Sequence, residues 1–436
     1  MIYLSWVSIF RLGAVQLSLG AIVVICTSTL NRLMVVEASL PAVLPGLLVG
    51  LHYAVQMSRP TWGYRSDTGG NRTRFIIGGM ALLGLGGFLA ALGFVMMAAA
   101  FWAGLAVSVV AYALIGAGVG ASGTSLLALL ATTTQPRRRP AAATITWLMM
   151  IFGIAVTATV VGKFLDPYSP ALLLKLVALV GVAALGLTTL AVWGIEARHR
   201  VAPDPQQAAP LPFRQGLAQI WAEPRARNFT IFIFVSMVAY FMQELILEPY
   251  AGLAFGFTPG QSTQLSGAQN GGVFFGMLTV GIAATGLRIG SVRVWVMAGC
   301  AGSALALLVI AMAGQIAAGG AVIQPATMVL GFFNGMFAVA AIGAMMALAG
   351  EGREAREGTR MGLWGAAQAI AAGLGGVLGA GAVDLARHVM ATPTAFGMVF
   401  VVEAGLFLLA CAMAAQIIDT GRPAQAGAMA GGEAHV

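Results

Sequence analysis

The stretch FMQELILEPY, residues 241–250, sets Glu244 and Glu248 four residues apart in an otherwise apolar run, with Gln243 beside them. Positions i and i+4 share one face of a helix, so the two carboxylates can pair with a cation, exchange a proton or line a polar pocket. Pro249 follows directly and denies a backbone carbonyl of the preceding turn its usual donor. A second polar patch lies in STLNRLMVVE, residues 28–37, where Asn31, Arg32 and Glu37 interrupt the first apolar stretch. At about 1.5 Å of rise per residue the two patches reach the same depth, so Arg32 is expected to face Glu244 or Glu248 across a central cavity. The expected outcomes are an ion pair locking two halves of the chain together, a polar lid or headgroup site at the outer mouth of the cavity, or a proton-coupling carboxylate. His52, in LHYAVQ, is the histidine that sits well inside an apolar stretch, and Gln56 lies one turn further along its face. Neutral imidazole ligates metals readily, while a lone histidine between helices more often bridges a neighbouring helix. Asn270, Asn334 and Gln368 read as packing hydrogen bonds.

These groups stand out because the rest of the chain is so apolar. Of 436 residues, 59% are hydrophobic and 9% charged, against about a quarter charged in soluble domains. The chain reads as an all-α membrane protein. Stretches long enough to cross a hydrocarbon core of about 20 residues fall at 12–31, 40–58, 75–98, 101–131, 142–163, 170–194, 228–249, 266–286, 293–314, 321–349, 361–383 and 393–417, twelve in all. Their unbroken apolar character excludes a β-barrel. Every basic residue except Arg32, Lys163, Lys175 and Arg387 falls on one side if the N-terminus is cytoplasmic, so both termini are expected inside. The net charge of +8 reflects this asymmetry and calls for no nucleic acid. MIYLSWVSIFR runs into the first span without a small-residue cleavage site, which reads as an uncleaved start. Cys26, Cys300 and Cys411 are isolated, suggesting neither disulfides nor a metal pair.

The organisation follows from spacing. Residues 196–227 are rich in Pro, Gln and Arg and read as a cytoplasmic linker between an N-terminal half, 1–195, and a C-terminal half, 228–418; the Gly- and Ala-rich tail, 419–436, is expected to be disordered. An offset of 217 residues carries Trp147 onto Trp364, Asp166 to within one residue of Asp384, and the first span onto the seventh. Two parallel six-helix halves with a cavity between them describe a major facilitator fold. The loop RPTWGYRSDTGGNRTR, 59–74, supports it: Gly63, Asp67, Gly70 and Arg72 fit the G-x-x-x-D-x-x-G-x-R pattern of that superfamily, with Arg72 and Arg74 expected to anchor in anionic headgroups. Thr68 and Asn71 replace usually basic residues, and the second-half counterpart GLRIGSVR, 286–293, is eroded.

Four longer strings, STLNRLMVVE (28–37), LPGLLVGLHYAVQMSRPTWGYRSD (44–67), VGKFLDPYSP (161–170) and QELILEPYAG (243–252), resemble the PucC/LhaA family of phototrophic bacteria, a bacteriochlorophyll-delivery branch of the major facilitators. The resemblance implies an assembly factor of the bacterial inner or intracytoplasmic photosynthetic membrane that supplies bacteriochlorophyll to light-harvesting antenna polypeptides. Members differ in whether they serve an antenna or pigment synthesis, so partnership with bacteriochlorophyll synthase is an alternative. On this reading His52 is a candidate axial ligand of the pigment magnesium, and Gln56, Asn31, Arg32, Glu37, Gln243, Glu244 and Glu248 are candidates for the pigment cavity. Catalysis is not expected: no span or loop carries an aspartate cluster for a magnesium diphosphate, a P-loop or a nucleophile elbow. A proton-coupled exporter of a hydrophobic small molecule is the rival from another class.

Overall fold

The computed structural model describes residues 3–59, 62, 71–135, 138–198, 221–287, 289–316, 319–350 and 357–418. Twelve main helical elements organise the described residues: α1 Trp6–Glu37, α2 Val43–Gln56, α3 Arg72–Met97, α4 Phe101–Thr133, α5 Arg139–Phe164, α6 Pro170–Val192, α7 Pro224–Phe255, α8 Pro259–Val280, α9 Val292–Ala313, α10 Gly319–Gly350, α11 Glu357–Arg387 and α12 Thr392–Ile417. Among the described residues ten helices are long and apolar enough to cross a membrane. The remaining two are α2, which has only 14 residues, and α8, which opens on the polar run PGQSTQLSGAQNGG. Gly63, Asp67 and Gly70, most of the linker and the tail lie outside the described residues.

The helices begin where the chemistry of their ends favours it. Ser5, Asn71, Ser169 and Ser291 each accept from a backbone N–H of the following turn, and Thr258 closes a capping box with Gln261. Proline occupies the first turn of α5, α6, α7, α8 and α12, where a missing N–H costs nothing. Gly256, at φ 69°, ends α7 in the left-handed region.

Packing repeats between the halves. In the first, α1 packs on α5 and α6, α3 on α4 and α6, and α2 on α4; in the second, α7 packs on α11 and α12, α9 on α10 and α12, and α8 on α10. The cross-contacts repeat likewise, α2 on α11 and α5 on α8. One hydrophobic core runs from Leu4 to Ile195 and takes in Leu245; the other runs from Ala226 to Ile418 and takes in Val35 and Ala42. The crossing members mark where the end of α1 meets α7 and where the start of α2 meets α11. Large exposed apolar side chains such as Leu85, Val182 and Leu305 cover the outside, and Trp6, Trp102 and Trp193 stand exposed at helix ends, the positions that suit lipid chains and their interface.

The motif arginines serve the frame. Arg72 opens α3: its backbone N–H donates to Glu196 at 2.8 Å, and its guanidinium donates to Thr132 Oγ1 at 2.5 Å and to Ala128 O at 3.4 Å. Arg72 therefore holds the last turn of α4, where a cation suits the helix dipole, instead of projecting only to headgroups as expected. Arg74 is exposed.

Candidate functional site

The polar groups meet where α1 crosses α7 and α8. Helix α1 is not regular there: Ile25–Thr29 and Leu33–Glu37 are π-helical turns. Such turns widen the helix and release carbonyls from the usual ladder, and Tyr112 of α4 donates its hydroxyl to Cys26 O at 2.8 Å. The end of the first turn and the Leu30–Arg32 segment after it present Ser28, Thr29, Asn31 and Arg32 to the second half. Ser28 Oγ and Ser266 Oγ lie 2.9 Å apart, Thr29 Oγ1 and Thr263 Oγ1 3.2 Å. Asn31 donates Nδ2 to Leu245 O at 2.6 Å.

The Asn31 bond has a cause in the sequence. Residue 249 is proline, so the i−4 carbonyl, that of Leu245, has no intrahelical donor. Helix α7 nonetheless continues to Phe255, and Asn31, 0% exposed, supplies the missing donor from the other half. Asn31→Ala is expected to cost about 1–3 kcal/mol by orphaning a buried carbonyl. In a Pro249→Ala background, where the backbone N–H returns, the same change is expected to cost at least ~1 kcal/mol less. A double-mutant cycle on unfolding free energy in nanodiscs checks this; additivity would show that the two residues do not share the carbonyl.

Arg32 corrects the sequence expectation. Its Nη1 donates to Glu37 Oε1 at 2.5 Å and its Nη2 to Phe257 O at 2.7 Å, so the ion pair forms within α1 and not with Glu244 or Glu248. Arg32 is 2% exposed and the Glu37 side chain 39%. Glu248 is buried next to Ser28, Ser266 and Arg32, yet neither of its carboxylate oxygens makes a hydrogen bond of good geometry. Glu244 is half-buried beside the Thr27 hydroxyl and the rings of Tyr53 and Tyr240. Gln243, about 100° further back around the helix, is buried with its Oε1 unpaired.

His52 belongs to a different set. Its Nε2 lies 2.8 Å from Gln56 Nε2, and Gln56 Oε1 accepts from Arg59, so imidazole, amide and guanidinium form a relay along α2. An amide nitrogen only donates, so Nε2 accepts and the proton sits on Nδ1, which has no partner. The ring is 2% exposed. Axial ligation of a magnesium through Nε2 thus requires Gln56 to let go first. The two sets come near each other through Tyr53, whose ring is T-shaped on His52 at 4.9 Å and on Phe241 at 5.8 Å. Tyr53, Tyr240 and Phe241 together form an aromatic seam between the halves that sequence reasoning missed; its signal was Tyr53 directly after His52 and the Tyr240–Phe241 pair just before Gln243.

Two aspartates hold one end of the seam. Asp384, closing α11, accepts from Ala42 N at 3.0 Å and Val43 N at 2.8 Å; Asp166, following α5, accepts from Gly260 N at 3.1 Å and from the Thr258 hydroxyl at 2.5 Å. Each half thereby caps the second helix of the other. The 217-residue offset that relates the aspartates also carries Val43 onto Gly260. At Gly260 a Cβ would collide with Asp166 Oδ2 and Gly162 O, so only glycine lets α8 come this close.

With this geometry in place, known proteins give it a context. Residues 29–421 match the family model described as PUCC protein. The chain belongs to the PUCC family. A family relative from Rhodobacter capsulatus, bacteriochlorophyll synthase 44.5 kDa chain, is 65% identical over 415 residues, covering 95% of this chain and 96% of that protein. Protein PucC of the same species is 29% identical over 437 residues, covering 95% and 92%. Among solved structures, a mutant of the peptide transporter POT in complex with alafosfalin matches with a TM-score of 0.68 at 16% identity, covering 94% of both chains. A bacterial homologue of the lysosomal transporter Spinster, inward-facing and unoccupied, matches at 0.67 and 14% identity over 95% of this chain and 97% of that one. This PUCC protein is therefore a multi-pass membrane protein with the fold of major facilitator transporters, as the span pattern and the half-repeat imply.

Proposed function

We propose that the protein binds bacteriochlorophyll in the seam between its halves and delivers it to antenna polypeptides as they assemble in the photosynthetic inner membrane. The observation that carries this reading is the family match over nearly the whole chain, in a fold whose central seam sets the aromatic rings of Tyr53, Tyr240 and Phe241 beside a half-buried carboxylate, Glu244. Flat apolar rings stack on such side chains, and a seam shared by two halves can open to release a cargo too apolar for water. Helices α2 and α8 complete twelve spans in this reading, with both termini cytoplasmic. His52 serves as axial ligand only in a state in which Gln56 has released it.

A second reading, an accessory role in bacteriochlorophyll synthesis, is favoured by the name of the 65% identical relative. Deleting the gene in a phototrophic host separates the two. Antenna absorption is expected to fall several-fold while the esterified pigment is still made. Accumulation of the unesterified precursor would instead place the protein in synthesis. Protein purified from phototrophic membranes is expected to carry pigment absorption; a colourless preparation from cells rich in pigment would favour export of another molecule.

A further inference from the structure

The crossing of α1, α7 and α8 gathers more buried oxygen lone pairs than its hydroxyls, already bonded in pairs, satisfy in good geometry. Glu248 is 2% exposed with both oxygens unpaired, and Asn31, having committed its Nδ2 to Leu245 O, leaves Oδ1 unpaired at 0% exposure. The hydroxyls of Ser28 and Ser266 adjoin the carboxylate and hydrogen-bond each other at 2.9 Å. Ser28 of α1 and Ser266 of α8 flank Glu248 of α7, and Asn31 stands one turn from Ser28 while Leu245, to which it is bonded, stands one turn from Glu248, which sets the Asn31 amide beside this three-helix group. Asn31 and Glu248 are also 217 residues apart: they occupy matching places on the first helix of each half. The nearby positive charge is already engaged, since Arg32 pairs with Glu37 and bonds Phe257 O. A Glu248 carboxylate there lacks a hydrogen-bonded counterion, a costly arrangement in a medium of low dielectric.

We propose that Glu248, Asn31, Ser28 and Ser266 form a binding site for a monovalent alkali cation of the sodium class. Carboxylate, amide and hydroxyl oxygens are hard ligands suited to a hard cation. One carboxylate balances one positive charge, and the neighbouring guanidinium opposes a second, which disfavours a divalent ion. The ketone and ester oxygens of a pigment are themselves acceptors, so they cannot satisfy this set. The π-helical turns on either side of Leu30–Arg32 deliver Ser28 and Asn31 to the axis, the kind of irregular membrane helix that suits ion coordination. Because Ser28 and Asn31 belong to one half and Ser266 and Glu248 to the other, the ion ties the halves together. This inference stands independently of what cargo the seam carries.

The test uses the full-length protein in nanodiscs, with sodium chloride exchanged for potassium or choline chloride at constant ionic strength and pH. Sodium is expected to raise the unfolding temperature saturably by several degrees, potassium less, and choline not at all. Glu248→Gln is expected to abolish the sodium effect, whereas Glu403→Gln, at another buried carboxylate lacking a partner on α12, keeps it. Should Glu248→Gln fail to fold, the combined Ser28→Ala and Ser266→Ala variant, which leaves the charge in place, is expected to weaken apparent sodium affinity on the order of tenfold. Equal stability of the unaltered protein in sodium and choline would overturn the site, as would a stabilisation that follows pH and ignores sodium, or full sodium response in both variants.

Discussion

Replacing Arg32 by glutamine is expected to be the most damaging single change at the seam, costing about 3–5 kcal/mol. Arg32 is a buried guanidinium whose hydrogen bonds go to Glu37 and Phe257 O, while its field also reaches Glu248. Geometry names Glu37 as its partner, but desolvation assigns the larger stake to Glu248. The Glu37 side chain is 39% exposed, so water can take over from the lost guanidinium at that carboxylate. Glu248 is 2% exposed and has no such recourse. Arg32→Gln combined with Glu248→Gln should therefore recover much of the lost stability, and Arg32→Gln combined with Glu37→Gln much less. Unfolding in sodium-free choline buffer, where no small ion stands in for the arginine, reads the difference. Equal or greater rescue by Glu37→Gln would mean that the hydrogen-bonded pair dominates and that Glu248 feels little of Arg32.

The sequence identifies the spans, the half-repeat and the polar residues at the seam, because hydrophobic length and spacing along one chain are local properties. It does not say which of those residues touch. Arg32 and Glu37 are five apart, about 140° around a regular helix, so pairing across the cavity looks more natural than pairing within α1. The π-helical Leu33–Glu37 changes that rotation, and no motif in LMVVE announces it. Pro249 is the opposite case: the freed carbonyl is legible from one residue, yet its donor, Asn31, lies 214 positions from Leu245 and is known only once the halves are docked. Ser28, Thr29, Thr263 and Ser266 escaped notice because hydroxyls in apolar helices usually bond back to their own backbone, as Thr27 does to Val23 O at 3.2 Å. His52 and Gln56 do share a face as their spacing implies, but the amide that was expected to assist a ligand occupies the imidazole nitrogen instead. The apolar stretch at 40–58 becomes a helix of 14 residues, Val43–Gln56, because Asp384 supplies from outside the acceptor that its first turn needs.

That acceptor and its repeat mate make the end of the bundle near Ala42 and Gly260 a latch, and removing both is expected to open it. Asp384 and Asp166 each accept two hydrogen bonds at the start of a helix belonging to the other half. Loss of a cap costs about 0.5–2 kcal/mol, and the negative charge at a helix N-terminus adds a further ~0.3–1 kcal/mol. The two seams, α2 with α11 and α5 with α8, share no residue, so their contributions should nearly add. Asp166→Ala with Asp384→Ala is then expected to shift the ratio of open to closed forms at this end by roughly 2–4 kcal/mol, about 30-fold or more. Either substitution alone leaves one seam capped and should shift it less, and Asp→Asn, which keeps one acceptor oxygen, less again. Spin labels on cysteines introduced at Ala38 and Val389, both exposed and in opposite halves, in a background lacking Cys26, Cys300 and Cys411, report the separation directly. A longer-distance population should appear in the double variant and be nearly absent from the parent. An unchanged distance distribution would mean that the glycine contacts of α5 with α8, Gly162 against Gly260, hold the end closed without help from the carboxylates.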